Sequence, residues 1–124
     1  DKIEHFGGIA DNLNNMGALY ESQKDYSRAL EAFQGALDAD KKIENSVGIS
    51  TDLANLGRLF EAKGDREKAL DHYLRAWRVN EYLGFRERIL QDLSKVASLY
   101  EALGKPEEAE KFRQRARELA SSPK

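Results

Sequence analysis

Leu53-Ala-Asn-Leu-Gly-Arg-Leu-Phe60, then Glu61-Ala-Lys-Gly-Asp65, then Arg66 to Ala76, read as an amphipathic helix, a Gly-Asp turn and a second amphipathic helix. The same unit recurs on either side of this stretch. Leu13, Leu53 and Leu93 stand 40 residues apart, and so do Leu19, Leu59 and Leu99. Tyr20, Phe60 and Tyr100 keep that distance, as do Glu21, Glu61 and Glu101, Ala29, Ala69 and Ala109, and Ala36, Ala76 and Ala116. Self-similarity at one fixed period means that a supersecondary unit is stacked on copies of itself. The chain is therefore expected to be all-α, built of antiparallel helix pairs in a solenoid.

Within each copy the apolar residues follow the helical period. Ile9, Leu13, Met16, Leu19 and Tyr20 form one stripe over roughly Gly8 to Gln23. Ala29, Leu30, Phe33, Ala36, Leu37 and Ile43 form another from Tyr26 onward. Asp25 and Asp65 suit helix N-caps, because a carboxylate there accepts from the free N–H groups of the first turn. Gly64 and Gly104 stand where a helix C-terminus calls for a left-handed residue. Pro106 fits the first turn of a last helix, where its missing N–H is not needed.

The copies divide into residues 10–49, 50–89 and 90–120. Lys2-Ile3-Glu4 and Gly8-Ile9 match Lys42-Ile43-Glu44 and Gly48-Ile49, so residues 1–9 are expected to be the tail of a truncated preceding repeat. The alternative is a short helix starting at Asp1. In the last helix Arg113 and Arg117 replace Phe33 and Tyr73, and Leu37 and Trp77, of the earlier copies. Those large side chains should pack on the following repeat, so the arginines mark a polar capping helix. Residues 121–124 are expected to be a flexible tail.

Composition narrows the function. The 124 residues carry a net charge of −2 with a pI near 5.8, and 34% are charged, with a mean hydropathy of −0.72. No basic run points to nucleic acid or to an anionic membrane surface. No apolar run approaches the ~20 residues that span a bilayer. Without cysteine there is no disulfide or thiolate metal site, which permits any compartment; a cytoplasmic location is a separate expectation. His5 and His72 are the only histidines. His5 lies in the N-terminal segment and His72 is expected on the solvent side of its helix, so no catalytic, metal or cofactor site is expected.

The pattern Leu13, Met16-Gly17, Tyr20, Ala29, Phe33, Ala36 resembles the tetratricopeptide repeat. So do Leu53, Leu56-Gly57, Phe60, Ala69, Tyr73, Ala76 and, less fully, Leu93, Val96-Ala97, Tyr100, Ala109, Ala116, with Arg113 where the aromatic belongs. In this reading Gly17, Gly57 and Ala97 let paired helices approach, with Ala29, Ala69 and Ala109 facing them. A period of 40 and the absence of the usual proline resemble the long-repeat branch, which includes Pins-type and kinesin-light-chain-like proteins and bacterial peptide-sensing regulators. The extra residues should lengthen the helices at their shared junction.

The resemblance implies a right-handed superhelix that binds a peptide or helical segment of a protein partner in a concave groove, as part of a larger regulatory or scaffold protein. Its groove positions are Asp11, Asn14, Asn15, Ala18, Glu21 and Ser22, then Thr51, Ala54, Asn55, Arg58, Glu61 and Ala62, then Gln91, Ser94, Lys95, Ser98, Glu101 and Ala102. In similar proteins an asparagine at Asn15 or Asn55 bonds the ligand main chain, since an amide both donates and accepts. The Glu21–Glu61–Glu101 stripe would favour a basic partner, or be a solvated face with Arg58 offsetting Glu61. Asn14, Ala18 and Gln91 stand where a carboxylate clamp would need matching lysine or asparagine residues, which disfavours a chaperone's C-terminal carboxylate. Trp77 reads as core beneath repeat three. A second expectation is self-association through Ile3, Phe6 and Ile9 at the N-terminal edge.

Overall fold

A computed structural model describes residues 1–123. Six helices follow one another: α1 (Lys2–Ser22), α2 (Tyr26–Lys42), α3 (Ser46–Ala62), α4 (Arg66–Leu83), α5 (Arg86–Ala102) and α6 (Pro106–Ser121). Each odd helix pairs with the even helix after it, and α2 and α4 pack in turn on α3 and α5. α1 and α3 also touch directly, so the first helices of successive pairs share one side of the solenoid. The result is an all-α superhelix of antiparallel helix pairs.

The starts and stops follow the local chemistry. Asp25 and Asp65 cap α2 and α4, accepting from the backbone N–H groups of Arg28 and Lys68 at 3.3 and 3.2 Å. Asn45 caps α3 through the N–H of Gly48 at 3.2 Å. Gly64, Gly84 and Gly104 turn the chain with φ of +86°, +74° and +76°. In the first copy the same turns fall on Lys24 and Glu44, at φ +61° and +51°. A side chain in that region costs about 1–2 kcal/mol, so packing of the pairs imposes the turn where glycine is lacking. The C-terminal end of α6 is held by Arg86, whose Nη2 donates to the carbonyls of Leu119, Ala120 and Ser122 at 2.5, 3.0 and 2.8 Å. A cation there meets both the free carbonyls and the negative end of the helix dipole.

Three sequence expectations change. Residues 2–9 are not set off from the first repeat, because α1 runs unbroken over Lys2–Ser22; the Asp1 carboxylate accepts from the Glu4 N–H at 2.9 Å. The bounds 10–49, 50–89 and 90–120 keep the period but cut into α3 and α5, because the Asn45 cap and the Gly84 turn set the true junctions. Ser121 still belongs to α6 and Ser122 caps it; Lys124 of the expected tail lies outside the described residues.

One apolar cluster runs through the stack. Ala29, Phe33 and Leu37 of α2, Leu53, Leu56, Leu59 and Phe60 of α3, Ala69, Leu70, Tyr73 and Ala76 of α4, and Val96 and Leu99 of α5 belong to it. The close approach of paired helices rests on ring against glycine. A Cβ on Gly17 would lie 2.6 Å from the Phe33 ring, and one on Gly57 would lie 2.9 Å from Tyr73. The aromatic residues, rather than Ala29 and Ala69, therefore fill the space that the glycines leave. In the third copy Arg113 replaces the aromatic, and its counterpart is Ala97 instead of glycine. Arg113 and Arg117 turn to Glu101 and Glu110 at 3.2 and 2.5 Å, which makes α6 polar on that side. Trp77 meets Phe112 edge-on at 5.4 Å, under the third pair as expected.

Candidate functional site

The first helices α1, α3 and α5 carry a row of polar side chains that bond across repeats. Asn14 of α1 donates from Nδ2 to Asp52 Oδ1 of α3 at 2.8 Å, and accepts on Oδ1 from Asn55 Nδ2 at 3.2 Å. Asn55 Oδ1 accepts from Arg58 Nη1 at 3.0 Å. Arg58 then reaches back to α1, donating from Nη2 and Nε to the two oxygens of Glu21 at 2.8 and 3.2 Å. The chain Asp52–Asn14–Asn55–Arg58–Glu21 crosses the α1–α3 seam three times. Its Arg–carboxylate step is bidentate, the geometry that adds direction to charge. Glu21 in turn raises the proton affinity of the Arg58 guanidinium.

The next seam is held more lightly. Lys95 of α5 lies 3.7 Å from Glu61 of α3, and the Tyr73 hydroxyl points to the same carboxylate at 3.5 Å. Burial, then the Glu61 charge, pushes the Tyr73 phenol up from its ordinary value. Arg88 of α5 donates from Nη1 to the hydroxyls of Ser50 and Thr51 at 3.2 and 3.1 Å, stitching α5 to α3. Beneath the row lie two buried polar pairs. Asp40 faces Asp52 between α2 and α3. Asn80 donates to Asp92 at 2.6 Å between α4 and α5. Burial raises the Asp92 carboxyl to about 6, against the opposing pull of Asn80 and Arg88.

Residues 8–82, more than half the chain, match the family model described as "Tetratricopeptide repeat". The chain belongs to the tetratricopeptide repeat family. Solved tetratricopeptide-like solenoids superpose closely. BtubC (BKLC) from P. vanneervenii gives a TM-score of 0.84 at 20% identity, over 93% of this chain and 50% of that one. The chain thus spans half the length of BtubC. The TPR domain of Arabidopsis FLU gives 0.81 at 16% identity, covering 90% of this chain and 93% of that domain. These likenesses concern the fold. No curated protein matches.

On this tetratricopeptide frame all the expected groove positions reach solvent. Asn14, Glu21, Thr51, Ala54, Asn55 and Glu61 are half-buried, and Asp11, Asn15, Ala18, Ser22, Arg58, Ala62, Gln91, Ser94, Lys95, Ser98, Glu101 and Ala102 are exposed. The ladder gathers Asn14, Asn55, Arg58 and Glu21; Glu61 and Lys95 form a second group. Asn15 stands exposed outside both. The acidic stripe is not free, since Glu21, Glu61 and Glu101 each meet a different cation: Arg58, Lys95 and Arg113. Arg58 was expected to offset Glu61 on its own helix; it pairs with Glu21 because the neighbouring helix offers both oxygens in line with the guanidinium.

His72 also departs from expectation. Its side chain is only 14% exposed, packed 5.0 Å from the Phe60 ring, with Nδ1 2.8 Å from the Lys68 carbonyl. His5 is exposed beside Phe6. Among the described residues no group of three or more histidine, cysteine, aspartate or glutamate side chains is placed to hold a metal ion. No described helix is long and apolar enough to cross a membrane. Sequence reasoning missed Asp52 and Arg88. Asp52 carried a signal: it and Asp92 interrupt the apolar stripe at the same place, one period apart. Arg88 carried none, because Gly48 and Gly8 occupy its equivalents.

Proposed function

We propose that the chain is a protein–protein interaction module that seats an extended peptide or a partner helix along α1, α3 and α5, across Asn14, Asn55, Arg58 and Lys95. The carrying observation is the accessible ladder Asn14–Asn55–Arg58–Glu21, anchored on buried Asp52, whose side chains are held in place before any ligand arrives. Pre-ordered groups lose less entropy on binding. Asn55 retains a second N–H and a second lone pair with which to meet a ligand backbone. Asp11, Thr51, Gln91, Ser94, Ser98 and Glu101 would border the same track. The 40-residue period favours the long-repeat branch of the family, in a cytoplasmic regulatory or scaffold protein.

A random-peptide display library panned on the wild-type chain tests the reading. Selected peptides are expected to lose at least about tenfold in affinity, about 1.4 kcal/mol, on Asn55→Ala combined with Arg58→Glu. That variant gives up the bonds to Asn14 and Glu21, so its unfolding midpoint should fall, while its helical circular dichroism at the binding temperature should match wild type. Unchanged affinity for a well-folded variant would move the site elsewhere.

A second reading is self-association of two copies through the N-terminal edge. Met16 and Leu19 are 45% and 58% exposed, whereas Leu56 and Leu59, their equivalents one repeat on, are fully buried. The edge differs from the expected Ile3, Phe6 and Ile9. Ile3 is 66% exposed, but Phe6 is half-buried under the Lys42 ammonium and Ile9 is half-buried. A two-fold pairing would bring the Met16–Leu19 stripe against itself. Sedimentation over the micromolar range should show a dimer that Leu19→Lys disperses; a strict monomer would sink this second reading.

A further inference from the structure

We propose that Asp52 keeps a proton against the Asp40 carboxylate across the α2–α3 interface, and that losing it loosens the joint between the first two repeats and frees the Asn14 end of the polar ladder. Both carboxyls are buried, Asp40 at 3% exposure and Asp52 at 0%. Asp40 Oδ1 accepts from Asn45 Nδ2 at 3.2 Å, and Asp52 Oδ1 from Asn14 Nδ2 at 2.8 Å. Asp52 Oδ2 is buried without a hydrogen-bond partner. Two carboxylates are acceptors only, so neither can satisfy the other. A proton on Asp52 makes its Oδ2 a donor towards Asp40, and the orphaned oxygen gains its bond.

The second interface supplies an internal comparison. One period on, Asn80 replaces Asp40 and Arg88 replaces Gly48, while Asp92 matches Asp52. There an amide donates to the carboxylate and a guanidinium favours its charge. At the first interface a carboxyl faces a carboxyl, and Gly48 leaves room for it; a Cβ at Gly48 would lie 2.5 Å from Asp40 Cγ. The charges acting on Asp52 are Asp40 of α2 and, last in order, Asp11 of α1, both negative. Arg88 of α5 is bonded to Ser50 and Thr51 instead. Desolvation first, then Asp40, accordingly raises Asp52 to about 8, against about 6 for Asp92.

In the unfolded chain an aspartate titrates near ~3.9, so between about 4 and 8 the folded chain binds a proton that the unfolded chain lacks. This contribution to stability is fully present below about pH 4 and is lost as pH rises through about 8.

Urea unfolding of the 124-residue chain provides the test. From pH 6.5 to 7.5 the wild-type unfolding constant should rise about tenfold, the slope of one proton. Asp40→Asn recreates the pairing of Asn80 with Asp92 and should hold the rise below about twofold. In the folded wild type the side-chain amide signals of Asn14 should titrate with a midpoint of about 8, and in Asp40→Asn they should not. A flat wild-type profile, or an unchanged slope in Asp40→Asn, overturns the proposal. If Asp40→Asn does not fold, Asp52→Asn must show the same flattening, and a persisting slope there overturns it equally.

Discussion

Phe33→Ala is expected to lower the unfolding free energy by about 3–5 kcal/mol, the usual range for removing an enclosed ring. Phe33 is fully buried and has packing on both sides. Gly17 of α1 lies under one part of the ring, and the Arg58 guanidinium of α3 stands 5.8 Å from its centroid. Leu37, Leu53 and Leu56 belong to the same cluster. The ring therefore touches its own pair and the next one, and its loss opens a cavity at the seam that aligns Glu21 with Arg58. In a solenoid stability is close to a sum of repeat terms and nearest-neighbour interfaces. Weakening one interface so strongly should also broaden the urea transition, with the first pair released ahead of the rest. Denaturant unfolding followed by far-ultraviolet circular dichroism measures both effects. A loss near 1 kcal/mol, the ordinary cost of a point substitution, would mean that the seam closes around the gap and that the ring does not organise it.

Much of this arrangement was legible in the residues, for a physical reason. A repeat protein writes each packing rule several times, so Leu56 and Val96 explain each other, and Asp25 and Asp65 declare the same cap twice. What failed to show was whatever departs from repetition or depends on a neighbour. α1 runs unbroken over Lys2–Ser22, although the period suggests a break after residue 9. Arg58 turned to Glu21 because helical spacing fixes contacts within a helix, while the seam between helices is set by packing that no single helix reveals. His72 proves internal, and its equivalents Ala32 and Phe112, both apolar, already mark that position in the sequence. The candidate site was legible as a row of positions and illegible as a network. Its buried anchor, Asp52, sits on the apolar stripe where a charged residue looks out of place, and that misfit was the available clue.

Gly17→Ala should cost about 1–2 kcal/mol, against the usual helical preference. Alanine is favoured over glycine inside a helix by about 1 kcal/mol, and overpacking a full site costs about 1–3 kcal/mol. Here the added Cβ would stand 2.6 and 2.7 Å from two carbons of the Phe33 ring. A ring with no exposed surface has nowhere to withdraw, so the clash outweighs the propensity. In a Phe33→Leu background the obstruction is gone, and the same change should become neutral or stabilising by up to about 1 kcal/mol. The resulting coupling of about 2 kcal/mol lies within the range for residues in contact. The third repeat already carries the paired change, with Ala97 where the earlier copies have glycine and Arg113 where they have a ring. Chemical denaturation of the four members of this cycle decides the matter. Equal costs in both backgrounds would mean that Gly17 is required by the backbone rather than by Phe33, and the account of how each helix pair closes would have to be rebuilt.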